Sequence, residues 1–367
     1  MKILANNLKR QYELYAEEFE AKALEVLRGG WYILGEEVSS FEREFADWVG
    51  TKYCVGLASG LDALCIALKL LGIGPGDEVI VSSNAYIACV LSITNNCARP
   101  VFIESDQYFN IDADRVEAAI TPRTKAILAV HLFGQTCDMT TLTQIARKYD
   151  LKLVEDCAQA HGNHWQGKTA GTFGDAACFS FYPTKGCGAF GDGGAILTDD
   201  AELAEKIRIY RNYGSEKKYY NSMMGTNSRL DELQAGLLRV RLSHMDELNA
   251  ERVRLAERYS AEIQNPLIRL PEVRPGADSS WHQYVIRCEQ RDALIPFLAE
   301  RGIGTIIHYP IPSYLSEAYQ WLEIPRGSFP FTEKAADEVL SLPMYNGMTD
   351  AEQEWVIRAL NEFDGKA

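Results

Sequence analysis

The sequence contains little positive charge for its size and no long apolar run. Its 367 residues carry 37 Lys and Arg against 51 Asp and Glu, which gives a formal net charge of -14 and a pI near 5.0. Because that field repels phosphate polymers, we expect binding neither to nucleic acid nor to membranes. Residues 1–27 carry charges throughout, with no apolar stretch long enough for a signal-peptide core or a membrane helix. The expectation is a soluble, cytoplasmic and unprocessed protein.

Cysteine patterns typical of metal sites and redox motifs are also missing. The 9 cysteines include no C-x-x-C pair and no Cys/His spacing of the metal-binding kind. Several lie inside apolar runs, such as 88–90 and 177–179. They are interpreted as reduced core residues of a protein without a metal site.

The chain is long enough for two domains, because single cores stop growing below this length. A proline-bearing stretch at 270–276 follows two long helical patterns and marks a change of organisation. We assign residues 1–245 to a large α/β domain with opening helices, and residues 246–367 to a smaller α+β domain.

Apolar periodicity predicts helices over 7–28 and 41–49, followed by strands that alternate with helices. Such alternation is typical of a mostly parallel sheet, which places ligands beyond the carboxyl ends of its strands. Two later strands flank a glycine-rich loop and not a helix, so we expect a different kind of connection between these two strands. The predicted strands are 54–57, 78–81, 99–103, 126–130, 152–155, 176–181 and 195–198, and the helices between and after them are 59–71, 87–95, 139–149, 228–242 and 246–264.

Two strands of this pattern end in groups that carry chemistry. Asp156 follows one apolar strand, and Lys185 follows another after Ser180. A pyridoxal cofactor needs both types of group: a lysine to form a Schiff base and an acid to keep the pyridine nitrogen protonated. Taken singly, Asp156 is more simply a strand-end turn residue and Lys185 a solvated loop lysine. Together with the glycine-rich loop behind Lys185, they favour the cofactor site.

A phosphate cradle is the third requirement. Ser59 and Asp62 have the spacing of a capping box at the start of a helix, with Gly60 and Leu61 at its tip. Free backbone N–H groups and the helix dipole favour a phosphate there, although an ordinary capped helix shows the same pattern.

The run 186–191 matches the G-x-G-x-x-G fingerprint of dinucleotide sites and supports a rival, a nicotinamide-dependent oxidoreductase. That fingerprint requires a following helix. The next residues, 192–194, are too glycine-rich to begin one, so the match is interpreted as accidental.

Beyond single motifs, the chain resembles the DegT/DnrJ/EryC1/StrS sugar aminotransferases, which are pyridoxal-phosphate enzymes of fold type I. The resemblance implies an aspartate-aminotransferase-like fold, with a mostly parallel seven-stranded sheet in the large domain. It rests on GWYILG at 30–35, ASGLDAL at 58–64, GPGDEV at 74–79, HLFGQ at 131–135, EDCAQAH at 155–161, SFYPTK at 180–185, GDGG at 191–194, NSRLDELQ at 227–234 and IHYP at 307–310.

The resemblance assigns roles residue by residue and implies a homodimer with shared active sites. Many relatives have Thr where this chain has Leu61, which removes a hydroxyl contact to phosphate and leaves the backbone contact. The implied roles are Lys185 as the Schiff-base residue, Asp156 at the pyridine nitrogen, Gln159 near the ring hydroxyl, Tyr86 stacked on the ring, Gly60, Leu61 and Ser180 at the phosphate, and Asn227 reaching that phosphate from the partner subunit.

The substrate that the resemblance implies is a keto-sugar carried by a nucleotide, with L-glutamate as amino donor. Lys185 argues against the dehydratase branch, which has His there. The run around Lys185 is similar to that of enzymes aminating carbon 3 of a dTDP-linked 3-keto-6-deoxyhexose for lipopolysaccharide, O-antigen or S-layer glycans. A 4-amino enzyme and a non-catalytic protein with this fold stay open.

The substrate site itself is expected in two places. The polar segment 211–227 contributes Lys217 and Tyr219 to bind the diphosphate, and Arg211 adds a further cation. His308, at a strand end of the small domain, is assigned near the hexose, and the adjacent Tyr309 is assigned to substrate binding.

Overall fold

The computed structural model describes residues 2–366. Its helices are α1 Leu8–Glu13, α2 Ala16–Gly29, α3 Glu36–Val49, α4 Gly60–Leu70, α5 Ile87–Thr94, α6 Ala113–Val116, α7 Met139–Tyr149, α8 Ala201–Tyr210, α9 Glu232–Ser243, α10 Met245–Glu262, α11 Arg291–Glu300, α12 Pro330–Glu338 and α13 Asp350–Glu362. Its strands are β1 Tyr53–Leu57, β2 Glu78–Ser82, β3 Arg99–Ile103, β4 Thr124–Val130, β5 Lys152–Asp156, β6 His164–Trp165, β7 Lys168–Thr169, β8 Ala176–Ser180, β9 Gly194–Thr198, β10 Ser215–Lys217, β11 Tyr220–Asn221, β12 Val285–Arg287 and β13 Val339–Ser341.

Seven strands form one sheet in the order β1-β9-β8-β5-β4-β2-β3. The β2-β3, β2-β4, β4-β5 and β5-β8 pairs are parallel, whereas β9 runs antiparallel to both of its neighbours. The predicted mostly parallel sheet is therefore confirmed, and so is the change of connection at the glycine-rich loop. Residues 186–191 lead into β9 and not into a helix, which removes the dinucleotide interpretation of that loop.

The parallel arrangement brings the carboxyl ends of β1, β5 and β8 to one edge, where the antiparallel β9 begins. Gly194 opens β9 and pairs with both Leu57 and Ser180. A Cβ at Gly194 would lie 2.3 Å from the carbonyl oxygen of Ser59. Glycine is therefore required for the loop to reach the start of α4.

The predicted opening helix over 7–28 is wrong in one respect, because it breaks between α1 and α2. Tyr15, the residue before α2, has non-helical backbone angles (φ -134°, ψ 33°). Its ring stacks on His244 with the centroids 3.8 Å apart, and this tertiary contact outweighs the continuous local periodicity.

A second core lies beyond the sheet and belongs to the smaller α+β part of the chain. It is built from α10, α11, α13, β12 and β13, with side chains such as Leu255, Leu294 and Leu360. Ile3 also packs into it and pairs with Ile303. The domain boundary at residue 245 stays a prediction. Among residues 2–366, no helix combines the length and the apolar character that crossing a bilayer would require.

Candidate active site

A cavity of about 420 Å³ lies at the carboxyl edge of the sheet and extends to the small domain. It brings together most of the residues that the sequence singles out. Those predicted residues are Gly60, Leu61, Tyr86, Asp156, Gln159, Ser180, Lys185, His308 and Tyr309.

Lys185 enters the cavity from the turn that follows β8. Its backbone N–H donates to the carbonyl of Tyr182 at 2.8 Å, which fixes the turn. Removal from water lowers the pKa of the Lys185 ammonium, and the nearby Asp156 carboxylate opposes that shift. A neutral amine is the form that attacks a carbonyl carbon, so this environment favours a nucleophilic lysine.

Asp156 is the last residue of β5 and is 6% exposed. One carboxylate oxygen, Oδ1, accepts from the backbone N–H of Ala158 at 3.0 Å, and Oδ2 accepts from the thiol of Cys89 at 2.9 Å. The neighbouring acid Glu155 points to the opposite face, as alternation along a strand requires. Asp156 is thus the acid that β5 presents to the cavity.

Glu155 belongs to a buried polar cluster with His131 and Cys157, whose ligand atoms are close enough to hold a metal ion. His131 Nδ1 accepts from the backbone N–H of Cys137 at 3.1 Å, so the proton is on Nε2, which lies 3.1 Å from Glu155. Burial raises the pKa of Cys157 to about 12, which keeps its thiol protonated. Protein groups engage both ring nitrogens of His131, which favours a structural role for the cluster.

Glu155 also orders the loop before β8, which leads to Ser180. Its carboxylate accepts from the backbone N–H groups of Gly171, Phe173 and Gly174, each at 2.8 Å. These three bonds satisfy an acid that is 0% exposed.

The start of α4 faces the cavity opposite Lys185 and has open backbone donors. Ser59 caps the helix, since its hydroxyl accepts from the N–H of Asp62 at 3.1 Å. The second half of the predicted capping box is wrong: the Asp62 carboxylate instead accepts from the hydroxyl of Ser228 at 2.6 Å. Gly60 lies against Ser180, and a Cβ at Gly60 would be 2.6 Å from that side chain. Two N–H groups and a hydroxyl thus meet where an anion is favoured.

Aromatic rings and an amide form another wall of the cavity. Tyr86, 45% exposed, stacks on Tyr309 with the centroids 4.9 Å apart. Gln159 accepts from the N–H of Phe133 at 2.6 Å and donates to the Tyr309 hydroxyl at 3.2 Å. His308 is held by Ser341 at 2.8 Å, and its removal from water lowers its pKa to about 4. At neutral pH, His308 is therefore an uncharged donor or acceptor.

Three predicted residues lie outside this cavity. Lys217 and Tyr219 are on the exposed β10-β11 hairpin, where Tyr219 is 84% exposed. Asn227 is exposed and pairs with Asn212 in an isolated bridge. Their roles stay predictions.

The suggestion that Arg211 serves the diphosphate is wrong. Its side chain is buried, pairs with Glu42 at 2.5 Å and donates to the carbonyl of Gly56 at 2.7 Å. Removing Arg211 from these partners would leave Glu42 without its cation, so Arg211 supports β1 and is not available to a ligand.

Sequence reasoning assigned no role to several residues of the site. Asp192, His282 and Gln283 line the cavity, and Cys89 lies behind it on Asp156. Cys89 lies in an apolar run at the start of α5, which predicts its burial and gives no signal of its contact with Asp156. No local pattern marks His282 or Gln283, which come from the distant small domain.

The residues present fit a pyridoxal phosphate group. The cavity combines a lysine with a lowered pKa, a carboxylate on β5 and an open helix start beside Ser180, all of them lining one space. Lys185 would hold its aldehyde carbon, Asp156 its ring nitrogen, and the start of α4 its phosphate.

A family model agrees with this interpretation. Residues 14–361 match the DegT/DnrJ/EryC1/StrS aminotransferase family. The chain belongs to this family. It is a pyridoxal-phosphate-dependent aminotransferase, and solved relatives include both pyridoxal-phosphate and pyridoxamine-phosphate forms.

Three comparisons show how far the similarity to other members of the DegT/DnrJ/EryC1/StrS family extends. The dTDP-3-amino-3,6-dideoxy-alpha-D-galactopyranose transaminase of Aneurinibacillus thermoaerophilus is 51% identical over 95% of this chain and 96% of its own. The dTDP-3-amino-3,4,6-trideoxy-alpha-D-glucose transaminase of Streptomyces venezuelae is 47% identical over 97% of this chain and 95% of its own. The crystal structure of S. venezuelae DesV with a ketimine intermediate superposes with a TM-score of 0.96, at 46% identity and 98% coverage of both chains.

Proposed function

We propose that this aminotransferase transfers the amino group of L-glutamate to carbon 3 of a dTDP-linked 3-keto-6-deoxyhexose. The observation that carries the proposal is the meeting of Lys185, Asp156 and the open start of α4 in one cavity. The two dTDP-3-amino sugar transaminases described above support the nucleotide and the position of the new amine. The product would be a 3-amino-3,6-dideoxyhexose for a cell-surface glycan, made in the cytoplasm.

Lys185 has two tasks in this reaction. Because desolvation lowers its pKa, Nζ of Lys185 is the nucleophilic amine that would hold the carbonyl carbon of a bound cofactor. With cofactor and substrate bound, a free Nζ would also be the base nearest to the reacting carbons. It can then remove the proton from the α-carbon of glutamate and, in the second half of the reaction, deliver a proton to the sugar carbon.

Asp156 and the other cavity residues orient the cofactor. When bound, pyridoxal phosphate supplies an electron-accepting ring and a carbon that carries the amino group. Asp156 would hold the proton of the ring nitrogen, and the Ala158 N–H fixes the carboxylate that would do so. Tyr86 would cover one ring face, Gln159 would reach the ring hydroxyl, and the donors at Gly60 and Leu61 would hold the phosphate.

The sugar is proposed to lie by His308 and Tyr309, with its diphosphate toward the hairpin 215–221. The exposed ammonium groups of Lys217 and Lys218 lie over the rings of Tyr220 and Tyr219, at 5.5 and 5.3 Å from the ring centroids. Together they offer a cationic and aromatic surface to an anionic nucleotide, which a protein of net charge -14 needs locally. His308, uncharged at neutral pH, can hydrogen-bond a sugar hydroxyl.

Lys217→Ala and Tyr219→Phe should each raise the KM for the sugar nucleotide by about tenfold with little change in kcat, because they weaken binding that is equal in ground and transition states. Calorimetric titration of thymidine diphosphate into each variant checks this. Lys69→Ala, which changes an exposed lysine on α4, is the matched control. An unchanged affinity in both hairpin variants would remove the hairpin from the nucleotide site.

We further propose that the enzyme is a homodimer in which Asn227 completes the partner's phosphate site. Asn227 is exposed and outside its own cavity, while the adjacent Ser228 is buried and bonded to Asp62. The side chains of Trp31 and Met224 are 67% and 93% exposed, respectively. Exposed apolar side chains of this size support burial against a second copy.

Mixing Lys185→Ala protein with Asn227→Ala protein should restore activity to about a quarter of the wild-type level. A hybrid dimer holds both defects in one site and neither in the other. Native mass spectrometry verifies the subunit exchange, and the unmixed variants are the baseline. Exchange without recovery of activity would show that Asn227 does not act across the dimer.

Amination at carbon 4 is the second candidate, because the same cavity could present either ketone to the cofactor. Incubating the enzyme and glutamate with 3-keto and 4-keto dTDP-sugars, followed by NMR of the products, separates the two. Turnover of the 4-keto sugar alone would overturn the proposed position.

A further inference from the structure

The Asp156 carboxylate has a partner that the reaction described above does not use. Cys89 on α5 is 0% exposed, and its Sγ lies 2.9 Å from Asp156 Oδ2. The other carboxylate oxygen accepts from Ala158. Each oxygen of the acid therefore has one donor from the protein, and the carboxylate is fixed from both sides.

The thiol reaches Asp156 because of its place on α5. Tyr86 precedes the helix, and the N–H of Cys89 donates to the Tyr86 carbonyl at 2.9 Å. The first turn of α5 thus presents an aromatic ring to the cavity and a thiol to the acid beneath it. A shift of this turn would move both groups together.

The thiol is the donor in this contact, because an ionised carboxylate has no proton to give. Complete burial, together with the neighbouring Asp156 carboxylate, raises the pKa of Cys89. The group therefore stays protonated, and it is not a reactive thiolate.

We propose that Cys89 is a positioning residue, which holds the Asp156 carboxylate at the angle that the ring nitrogen of the cofactor requires. The inference rests on the proposed role of Asp156. A hydrogen bond to a charged group is worth more than one between neutral groups, although a thiol is a weak donor. Loss of the bond should therefore weaken cofactor binding by about tenfold, while Ser at the same position keeps a donor.

The test measures the dissociation constant of pyridoxal phosphate, by titrating the cofactor-free protein and following tyrosine and tryptophan fluorescence. Cys89→Ala should raise this constant by about tenfold, and Cys89→Ser should stay within about threefold of the wild type. Cys288→Ala is the matched control, since Cys288 is buried in the second core, away from the cavity. Thermal unfolding of each variant separates a binding effect from a general loss of stability.

The same titration in an Asp156→Asn background decides whether Cys89 acts through the acid. There, Cys89→Ala should change the constant by less than about twofold, because the group it positions is gone. Two results would overturn the positioning role alone: a Cys89→Ala constant within about twofold of the wild type, or a tenfold effect of Cys89→Ala that persists in the Asp156→Asn protein. If Asp156→Asn itself leaves cofactor binding and spectrum unchanged, the proposed role of Asp156 fails, and this inference fails with it.

Discussion

Lys185→Ala should abolish turnover, with a loss of about a thousandfold or more, while the folded protein still binds pyridoxal phosphate. The variant loses both the nucleophile that holds the cofactor and the base that moves the proton between carbons. The substitution leaves the contacts at Gly60 and Asp156 unchanged, so the variant keeps part of its affinity for pyridoxal phosphate. Steady-state transamination with glutamate and a dTDP-keto-sugar measures the loss.

Lys69→Ala again serves as the control for this variant, because Lys69 is an exposed lysine on α4. Its activity should equal that of the wild type. Activity of Lys185→Ala within tenfold of the wild type would contradict both tasks assigned to the lysine.

Asp156→Asn should lose roughly a hundredfold or more in turnover and remain folded. The amide cannot stabilise a proton on the ring nitrogen, so the ring loses most of its capacity to accept electrons. The Ala158 N–H would still donate to the amide oxygen. The amide NH₂ cannot accept the hydrogen bond that the Cys89 thiol donates to Asp156.

Circular dichroism should show an unchanged fold in Asp156→Asn, and single-turnover kinetics should place the loss in the proton-transfer step. Glu205→Gln, an exposed carboxylate-to-amide change on α8, is the matched control. If Asp156→Asn retains more than half of the wild-type turnover, the acid has been misplaced.

The sheet could be predicted because its strands are short apolar runs separated by amphipathic helices. β3 and α7 have the predicted bounds, and the other strands of the sheet differ by one or two residues at an end. Asp156 and Lys185 follow from the same logic, since parallel strands bring their carboxyl ends to one edge. Local sequence patterns are sufficient to predict features that depend on residues close together in the sequence.

Contacts between residues far apart in the sequence could not be predicted. Arg211 stands at the start of a polar segment, which suggests an exposed cation. Its partner Glu42, however, lies 169 positions away in the sequence. The carboxylate of Glu232 accepts from the N–H groups of Gly35 and Val38 at the start of α3, which joins two segments about 200 positions apart. Such pairings depend on tertiary packing, and periodicity does not report them.

Cys89 is an intermediate case, because its burial could be predicted from the sequence and its contact could not. The sequence predicts that Cys89 is a core cysteine, and its burial confirms that part. Its contact with Asp156 depends on how α5 packs against the sheet, which the local sequence does not report.

The central claim is that Lys185 forms a covalent bond to pyridoxal phosphate in this cavity. The most direct measurement is the absorption spectrum of the protein with cofactor, followed by borohydride reduction and peptide mass spectrometry. We predict a visible band that disappears on reduction, with the pyridoxyl mass on the peptide that contains Lys185. Absence of the band, or the label on a different lysine, would contradict the account.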